Sequence, residues 1–109
     1  MEVKLGRIAS VKFGLGGYQD SQIGLSFTLE GQGWGVGDFY GGWSTSIDSK
    51  GAQWTEADRN ARYAETLRYL NKLLVEAKKE DVNGLRGIPV EVTFDRNILK
   101  SWRILTEVL

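Results

Sequence analysis

The sequence predicts an α+β fold, in which an antiparallel sheet of about five strands carries one long amphipathic helix on one face. Apolar residues alternate with polar residues or glycine before residue 31 and again after residue 87, which is the period of half-buried strands. Between residues 55 and 79 the apolar residues instead recur every three or four positions, which is the period of a helix. Runs of strands separated by a single helix indicate the order β-β-β-α-β-β.

Three strands are predicted in the first half of the chain. The first lies within residues 6–17, where alternate positions are apolar: Ala9, Val11, Phe13 and Leu15. Residues 23–30 give the clearest strand pattern, with one apolar face made of Ile23, Leu25, Phe27 and Leu29. Residues 33–40 predict a third strand, which residues 41–47 either extend or turn back beside, and residues 48–53 predict a loop.

The helix is predicted to begin after Thr55, which is a natural N-cap. Acidic residues follow in the first turn and lysines stand near the last turn, so both ends suit the helix dipole. The predicted apolar stripe consists of Ala57, Ala61, Ala64, Leu67, Leu70, Leu74 and Ala77. Arg59, Arg62 and Arg68 fall elsewhere on the helix, either on a solvated face with ion pairs or, for Arg59 and Arg62, as a modest anion patch.

Two more strands are predicted after the helix. Residues 88–94 place apolar side chains on one face, namely Ile88, Val90, Val92 and Phe94. Pro89 suits the beginning of a strand or an edge. Residues 95–97 predict a turn, and residues 99–109 alternate again, so we expect a C-terminal hairpin with Trp102 in the core.

The composition narrows the range of functions. A length of 109 residues is enough for one domain, residues 1–109, and 41% hydrophobic with 26% charged residues is typical of a globular protein. The 14 basic and 14 acidic side chains cancel. This balance argues against duplex nucleic acid as a partner, because phosphate binding requires a surplus of Lys and Arg.

The residue types that are missing exclude several chemistries. The sequence contains no Cys and no His, which removes disulfides, thiolate nucleophiles, the commonest general base near neutral pH and the usual zinc ligands. Residues 14–17, GLGG, do not match GxGxxG and precede a turn and a strand, so they predict a tight turn rather than a phosphate-binding loop. We therefore predict no cofactor. Because no apolar leader or spanning run occurs, we expect a cytoplasmic protein without a membrane partner.

The stretch GQGWGVGDFYGGW, residues 31–43, has glycine at every second position from 31 to 37 and contains four aromatic residues. Each glycine inside regular structure costs roughly 0.5 to 1 kcal/mol relative to alanine, so a compensating cause is expected. Three causes are open: aromatic rings that lie flat over bare main chain, close approach by a partner chain or a ligand, or a mobile loop.

Side chains in and near these glycine-rich stretches are the candidate binding residues. We assign this role to Tyr18, Asp20, Trp34, Asp38, Phe39, Tyr40 and Trp43. The tyrosines and tryptophans could form a stacking platform for bases or sugars, or be buried, which is the commoner outcome in a small domain. Asp20, Asp38 and Asp48 could form a carboxylate site for Mg²⁺ or Ca²⁺, or act as turn and cap residues that need no metal.

Three stretches, VKFGLGGYQD, GWGVGDF and LKSWRILTEVL, together resemble a group of small uncharacterised proteins encoded by bacterial tailed phages and prophages. The resemblance covers both ends of the chain and implies no catalytic residue. It implies a bacterial host cell, in whose cytoplasm small phage proteins often bind host or phage macromolecules, including as inhibitors of host defence. Several such proteins act as oligomers.

These observations favour a non-enzymatic phage or prophage interaction protein. It would use the glycine and aromatic segments between residues 14 and 43 to bind a protein partner or its own copy. The alternative is a small-ligand protein that binds or sequesters a nucleotide or a metal. A third class is an enzyme that uses only carboxylates and tyrosine, because glycoside hydrolysis needs little more than two acids.

Overall fold

The computed structural model describes all 109 residues and contains five strands and one long helix. The elements are β1 (Glu2–Gly16), β2 (Gln22–Gly31), β3 (Trp34–Trp43), α1 (Glu56–Ala77), β4 (Pro89–Asp95) and β5 (Ile98–Ile104). This order confirms the predicted β-β-β-α-β-β arrangement. Short 3₁₀ turns cover residues 18–20, 82–85 and 106–108.

All five strands belong to one antiparallel sheet, with the spatial order β3-β2-β1-β4-β5. The central strand, β1, is 15 residues long and begins four residues earlier than the alternating pattern predicts. Its first half pairs with β4, from Glu2 to Arg7, and its second half pairs with β2, from Arg7 to Gly16. As a consequence, β3 and β5 are the two edge strands.

Two of the three hairpins, β2-β3 and β4-β5, use two-residue turns. Arg96 and Asn97 connect β4 to β5 with φ values of 54° and 66°, as the two-residue turn of a twisted hairpin requires. Gln32 and Gly33 connect β2 to β3, and Gly33 has a φ of 78°. The C-terminal hairpin is therefore confirmed. Its last strand ends at Ile104 and not near residue 109, because the ladder stops at Pro89, which has no N–H to donate.

The helix begins where the sequence predicts. Thr55 is the N-cap, and its Oγ1 accepts a hydrogen bond of 3.2 Å from the Asp58 N–H. The Asp58 carboxylate in turn accepts one of 2.8 Å from the Thr55 N–H, which completes a capping box. The helix ends at Lys78, whose left-handed conformation breaks the helical pattern.

The predicted apolar stripe of α1 is confirmed only in part: Ala77 belongs to the core and Leu70 and Leu74 pack against it, but Ala57 and Ala61 are exposed. The buried positions of the helix are Arg59, Thr66, Leu73 and Ala77, whereas Leu67 is 59% exposed. The side that faces β3 carries Arg62, whose Nε donates to the Gly41 carbonyl, and Tyr63, whose hydroxyl donates to the Trp43 carbonyl. Aromatic rings and the aliphatic part of arginine pack against the sheet while their polar ends bond to it. A pattern based on aliphatic residues alone does not detect such a face.

The core lies between α1 and the concave face of the sheet. It consists of Ile8, Leu25, Phe27, Leu29, Leu73, Ala77, Leu85, Ile88, Val90, Val92 and Ile104. Trp102 packs against this core and is only half-buried, with its ring centroid 5.0 Å from that of Phe27. The prediction that Trp102 belongs to the core is therefore confirmed in part: its ring packs against the core, but the residue is not fully buried.

The sheet curls strongly around the core. In a flat sheet, four strand spacings would separate β3 from β5 by roughly 19 Å. Yet the Trp102 Nε1 on β5 donates a hydrogen bond of 2.8 Å to the Asp38 Oδ2 on β3. Register shifts between Ile8 and Ser10 and between Thr93 and Phe94 mark bulges, which increase the local bend and twist.

Candidate interaction surface

The structure does not bring the seven predicted binding residues together on one surface. Three of them, Trp34, Asp38 and Tyr40, lie on the concave face that the helix covers. By strand alternation, Phe39 and Trp43 lie on the opposite face of β3. The remaining two, Tyr18 and Asp20, lie in the exposed 3₁₀ turn after β1. The seven residues are therefore divided among three places.

Trp34 explains part of the glycine pattern, because its indole ring lies over the main chain of two strands. A Cβ atom added at Gly31 would stand 2.4 Å from the Trp34 Nε1, and one added at Gly6 would stand 2.7 Å from the Trp34 Cζ2. The ring also meets Phe94 edge to face, with centroids 5.5 Å apart. At Gly31, then, the glycine is needed for an aromatic ring within the same chain.

Asp38 and Tyr40 belong to a network between the sheet and the helix. The Asp38 carboxylate accepts hydrogen bonds from the Trp102 Nε1 and from the Phe39 N–H, at 2.8 and 3.0 Å. The Tyr40 ring packs against Tyr69 at 4.5 Å and against the Arg62 guanidinium at 4.1 Å. Burial, followed by the nearby charge of Asp38, raises the pKa of Tyr69 well above its ordinary value. The Tyr69 hydroxyl is therefore held in its neutral form.

A second aromatic group stands at the edge formed by β3. Trp43 stacks on Trp54 with centroids 5.7 Å apart, and the Arg59 guanidinium lies 4.8 Å from the Trp54 ring. Arg59 is 5% exposed, and its Nη2 contacts the Ile47 carbonyl and, at 3.1 Å, the Glu56 carboxylate. Arg59 is neither solvated nor part of a free anion patch, because the chain supplies partners for its Nη2, while its Nε is buried without a hydrogen-bond partner.

The aspartates do not converge. The structure contains no group of three or more Asp, Glu, His or Cys residues that could hold a metal ion. Asp48 accepts a hydrogen bond of 2.9 Å from the Lys50 N–H, as a turn residue does. Asp20 is exposed in the turn after β1 and has a φ of 54°. For Asp38 and Asp48 the structure shows the hydrogen-bonded roles that need no metal.

A cleft with a mainly apolar lining is a feature that the sequence does not reveal. It lies between α1 and the ends of β1 and β2, has a volume of about 300 Å³, and is called the apolar cleft below. Its lining is Phe13, Ile23, Ser44, Thr45, Tyr63, Thr66 and Leu67. Phe13 is 42% exposed and Leu67 is 59% exposed, and Leu15, the next apolar residue on β1, is also exposed.

Polar groups in the lining of the apolar cleft are already bonded within the chain. The Tyr63 hydroxyl donates to the Trp43 carbonyl, and the Thr66 hydroxyl donates to the Arg62 carbonyl at 2.8 Å. The Ser44 hydroxyl forms a hydrogen bond of 3.0 Å with the Ser46 hydroxyl. The surface that these residues expose to a binding partner is consequently apolar. Few of its polar groups are free to orient a polar ligand.

Sequence reasoning missed this cleft because every apolar position was assigned to the core. Leu67 lies beside Tyr63 in the lining of the cleft, whereas Tyr69, Leu70 and Leu74 pack against the core. The aromatic and aliphatic residues of α1 therefore span a wider arc of the helix than the sheet covers. This width is the signal that could have pointed to an exposed apolar side.

Comparisons of this chain with known protein families, with curated proteins and with solved structures find no match. No helix of the protein combines the length and the apolar character that a bilayer crossing requires.

Proposed function

We propose that the protein is a non-enzymatic interaction protein of a phage or prophage, which binds a host or phage protein through the apolar cleft. The observation that supports this proposal is the exposure of Phe13 and Leu67 on facing elements, with the neighbouring polar groups bonded internally. Burial of one such side chain by a partner is worth roughly 1.5 to 3 kcal/mol. A contiguous exposed apolar surface of this kind marks interaction sites in proteins.

The partner that suits this cleft is a protein with an exposed apolar anchor side chain. A nucleic acid is disfavoured because the cleft lining contains no Lys or Arg and the chain has no net charge. The mechanism is steric: the bound protein loses access to the surface that the cleft covers. If the partner is a host defence protein, such occupation would inhibit it. The choice of a host defence protein as partner comes from the resemblance to phage proteins.

Affinity capture from a bacterial lysate tests the proposal, with the mass of the recovered complex measured by light scattering. Leu67→Lys places a charge in the cleft, and Val75→Lys serves as the control because Val75 is 68% exposed on the same helix and lies outside the cleft. We expect one stoichiometric protein with the wild type and with Val75→Lys, and its loss with Leu67→Lys. Equal capture by both variants, or no stoichiometric protein, would contradict the proposal.

A second candidate function is the binding of a small apolar ligand. The specific observation is the cleft volume of about 300 Å³, which is at the lower end of the roughly 300 to 1,000 Å³ of small-molecule sites. A thermal-shift screen separates the two functions, since a ligand that binds only the native state raises the melting temperature. The small-ligand function predicts a shift with compact apolar compounds that Leu67→Lys abolishes, and the same screen includes nucleotides, sugars and metal ions.

A further inference from the structure

The edge of β3 has two halves that differ in their hydrogen bonding. In a strand, the N–H and C=O of one residue point to the same side, and successive residues alternate. Arg62 and Tyr63 of the helix donate to the carbonyls of Gly41 and Trp43, and the Ser44 N–H donates to the carbonyl of Ser21, which directly precedes β2. The odd-numbered residues of β3 therefore turn their main-chain groups away from β2, toward the open edge.

The second half of this edge is closed by the chain itself. The Asp38 carboxylate accepts the Phe39 N–H, Arg62 bonds to the Gly41 carbonyl, and Tyr63 bonds to the Trp43 carbonyl. Closing an edge with charged side chains is a common protection against unwanted strand pairing. In the first half, Gly35 and Gly37 turn their N–H and C=O groups outward, and no side chain bonds to them.

The fold itself does not require glycine at these two positions. A Cβ atom would meet only main-chain oxygens, at 3.8 Å from Gly35 and at 3.7 Å from Gly37, which is ordinary van der Waals contact. Neither residue has a positive φ. Gly31 lies under Trp34 and has no room for a side chain. At Gly35 and Gly37, in contrast, no contact within the chain explains why a side chain is absent.

We propose that β3 of two copies of this chain pair antiparallel around a two-fold axis at Val36, so that the two sheets become continuous. The open stretch extends from Trp34, where the strand begins, to Asp38, which caps the next N–H, and Val36 is its midpoint. In this register Gly35 stands opposite Gly37 of the second copy. Each such pair exchanges two main-chain hydrogen bonds, and the two Val36 side chains meet at the axis.

A second copy is the occupant that this edge fits, because the open stretch is complementary to itself. A two-fold interface requires one patch to match its own image, and glycine at both 35 and 37 satisfies this condition. The chain carries 14 basic and 14 acidic residues, so two copies do not repel each other through net charge. The contact is short, and we therefore expect a dimer that dissociates on dilution. This surface is separate from the apolar cleft, so the inference is independent of the proposed function.

Sedimentation analysis over a wide range of concentration tests the inference. For the wild type we expect the mass to rise from 12.2 kDa toward twice that value. Gly37→Pro removes the outward N–H from an edge position where proline is tolerated, and it should stay monomeric with an unchanged circular dichroism spectrum. Gly14→Ala is the matched control, because a Cβ there meets nothing within 4 Å, and it should associate like the wild type.

Amide hydrogen exchange on the wild type supplies a measurement that needs no variant to fold. The Gly35 and Gly37 amides should be protected at high protein concentration and exchange rapidly at low concentration. A wild-type mass of 12.2 kDa at every concentration would overturn the inference. So would association of a folded Gly37→Pro equal to that of the wild type, or protection of these two amides that does not change with concentration.

Discussion

The Trp102 Nε1 donates a hydrogen bond of 2.8 Å to the Asp38 Oδ2, and this bond joins the two edge strands across the concave face of the sheet. The same Asp38 carboxylate caps the Phe39 N–H through its Oδ1. One side chain thus helps to hold the curl of the sheet and to close part of the β3 edge. Asp38 is for this reason a structural residue as well as a boundary of the surface on which we infer self-association.

Removal of the indole N–H at position 102 tests this relationship. Trp102→Phe keeps an aromatic ring against Phe27 but leaves the Asp38 Oδ2 without its donor. We expect a loss of about 1.5 to 3 kcal/mol in the free energy of unfolding, as for a hydrogen bond to a charged group. Urea denaturation of Trp102→Phe, Asp38→Ala and the double variant gives the coupling energy. A coupling near zero would show that the bond does not hold the edges together.

Alanine at two glycines of the same hairpin should have different effects on stability. Gly31→Ala places a methyl group 2.4 Å from the Trp34 Nε1 and 2.7 Å from the Leu5 carbonyl oxygen, so we expect a loss of about 1 to 3 kcal/mol. Gly35→Ala meets only ordinary contacts and should be neutral or stabilise the monomer by about 0.4 to 1 kcal/mol. Thermal unfolding of dilute samples measures both. Equal effects would contradict the division of the glycine stretch into a covered and an open part.

Two leucines of α1 should differ strongly in their contribution to stability. Leu73 is 3% exposed and packs in the core, so Leu73→Ala should cost about 2 to 5 kcal/mol. Leu67 is 59% exposed, and Leu67→Ala should change stability by no more than about 0.5 kcal/mol. Chemical denaturation compares the two. A large loss for Leu67→Ala would restore the helix orientation that the aliphatic stripe predicts and would remove the apolar cleft.

The C-terminal turn should show a pH-dependent interaction between Arg103 and Glu107. Hydrogen bonding to Arg103 lowers the pKa of Glu107 from 4.5 to about 2, and the two side chains are 2.8 Å apart. Because the folded-state pKa is depressed, any stability from this pair is present above pH 4.5 and is lost as the pH falls toward 2. NMR titration of the Glu107 carboxyl carbon checks this. In Arg103→Gln the pKa should return toward 4.5, and an unchanged low value would contradict the assigned cause.

The fold could be predicted because its signals are local. The alternation in residues 23–30, the N-cap at Thr55 and the apolar face of residues 88–94 each depend on a few neighbouring residues, and all three are confirmed. Pro89 marked the start of its strand for a similar reason, because proline lacks an N–H.

The candidate surfaces could not be predicted because they depend on which elements meet in space. Whether Leu67 is buried depends on the rotation of α1, and that rotation is set by the contacts of Arg62 and Tyr63 with β3. Whether Gly31 or Gly35 is covered depends on the positions of the Trp34 ring and of the β1 main chain at Leu5. Their spacing in the sequence is identical, and only the structure separates them.

Site-specific photo-crosslinking from position 67 tests whether the apolar cleft is where a protein partner docks. A photoreactive phenylalanine analogue replaces Leu67 in one variant and Val75 in another, since both side chains are exposed on the same helix and only Leu67 lines the cleft. After irradiation in bacterial cells, we expect one discrete covalent adduct from position 67 and none from position 75. Adducts of equal yield from both positions, or none from position 67, would contradict it.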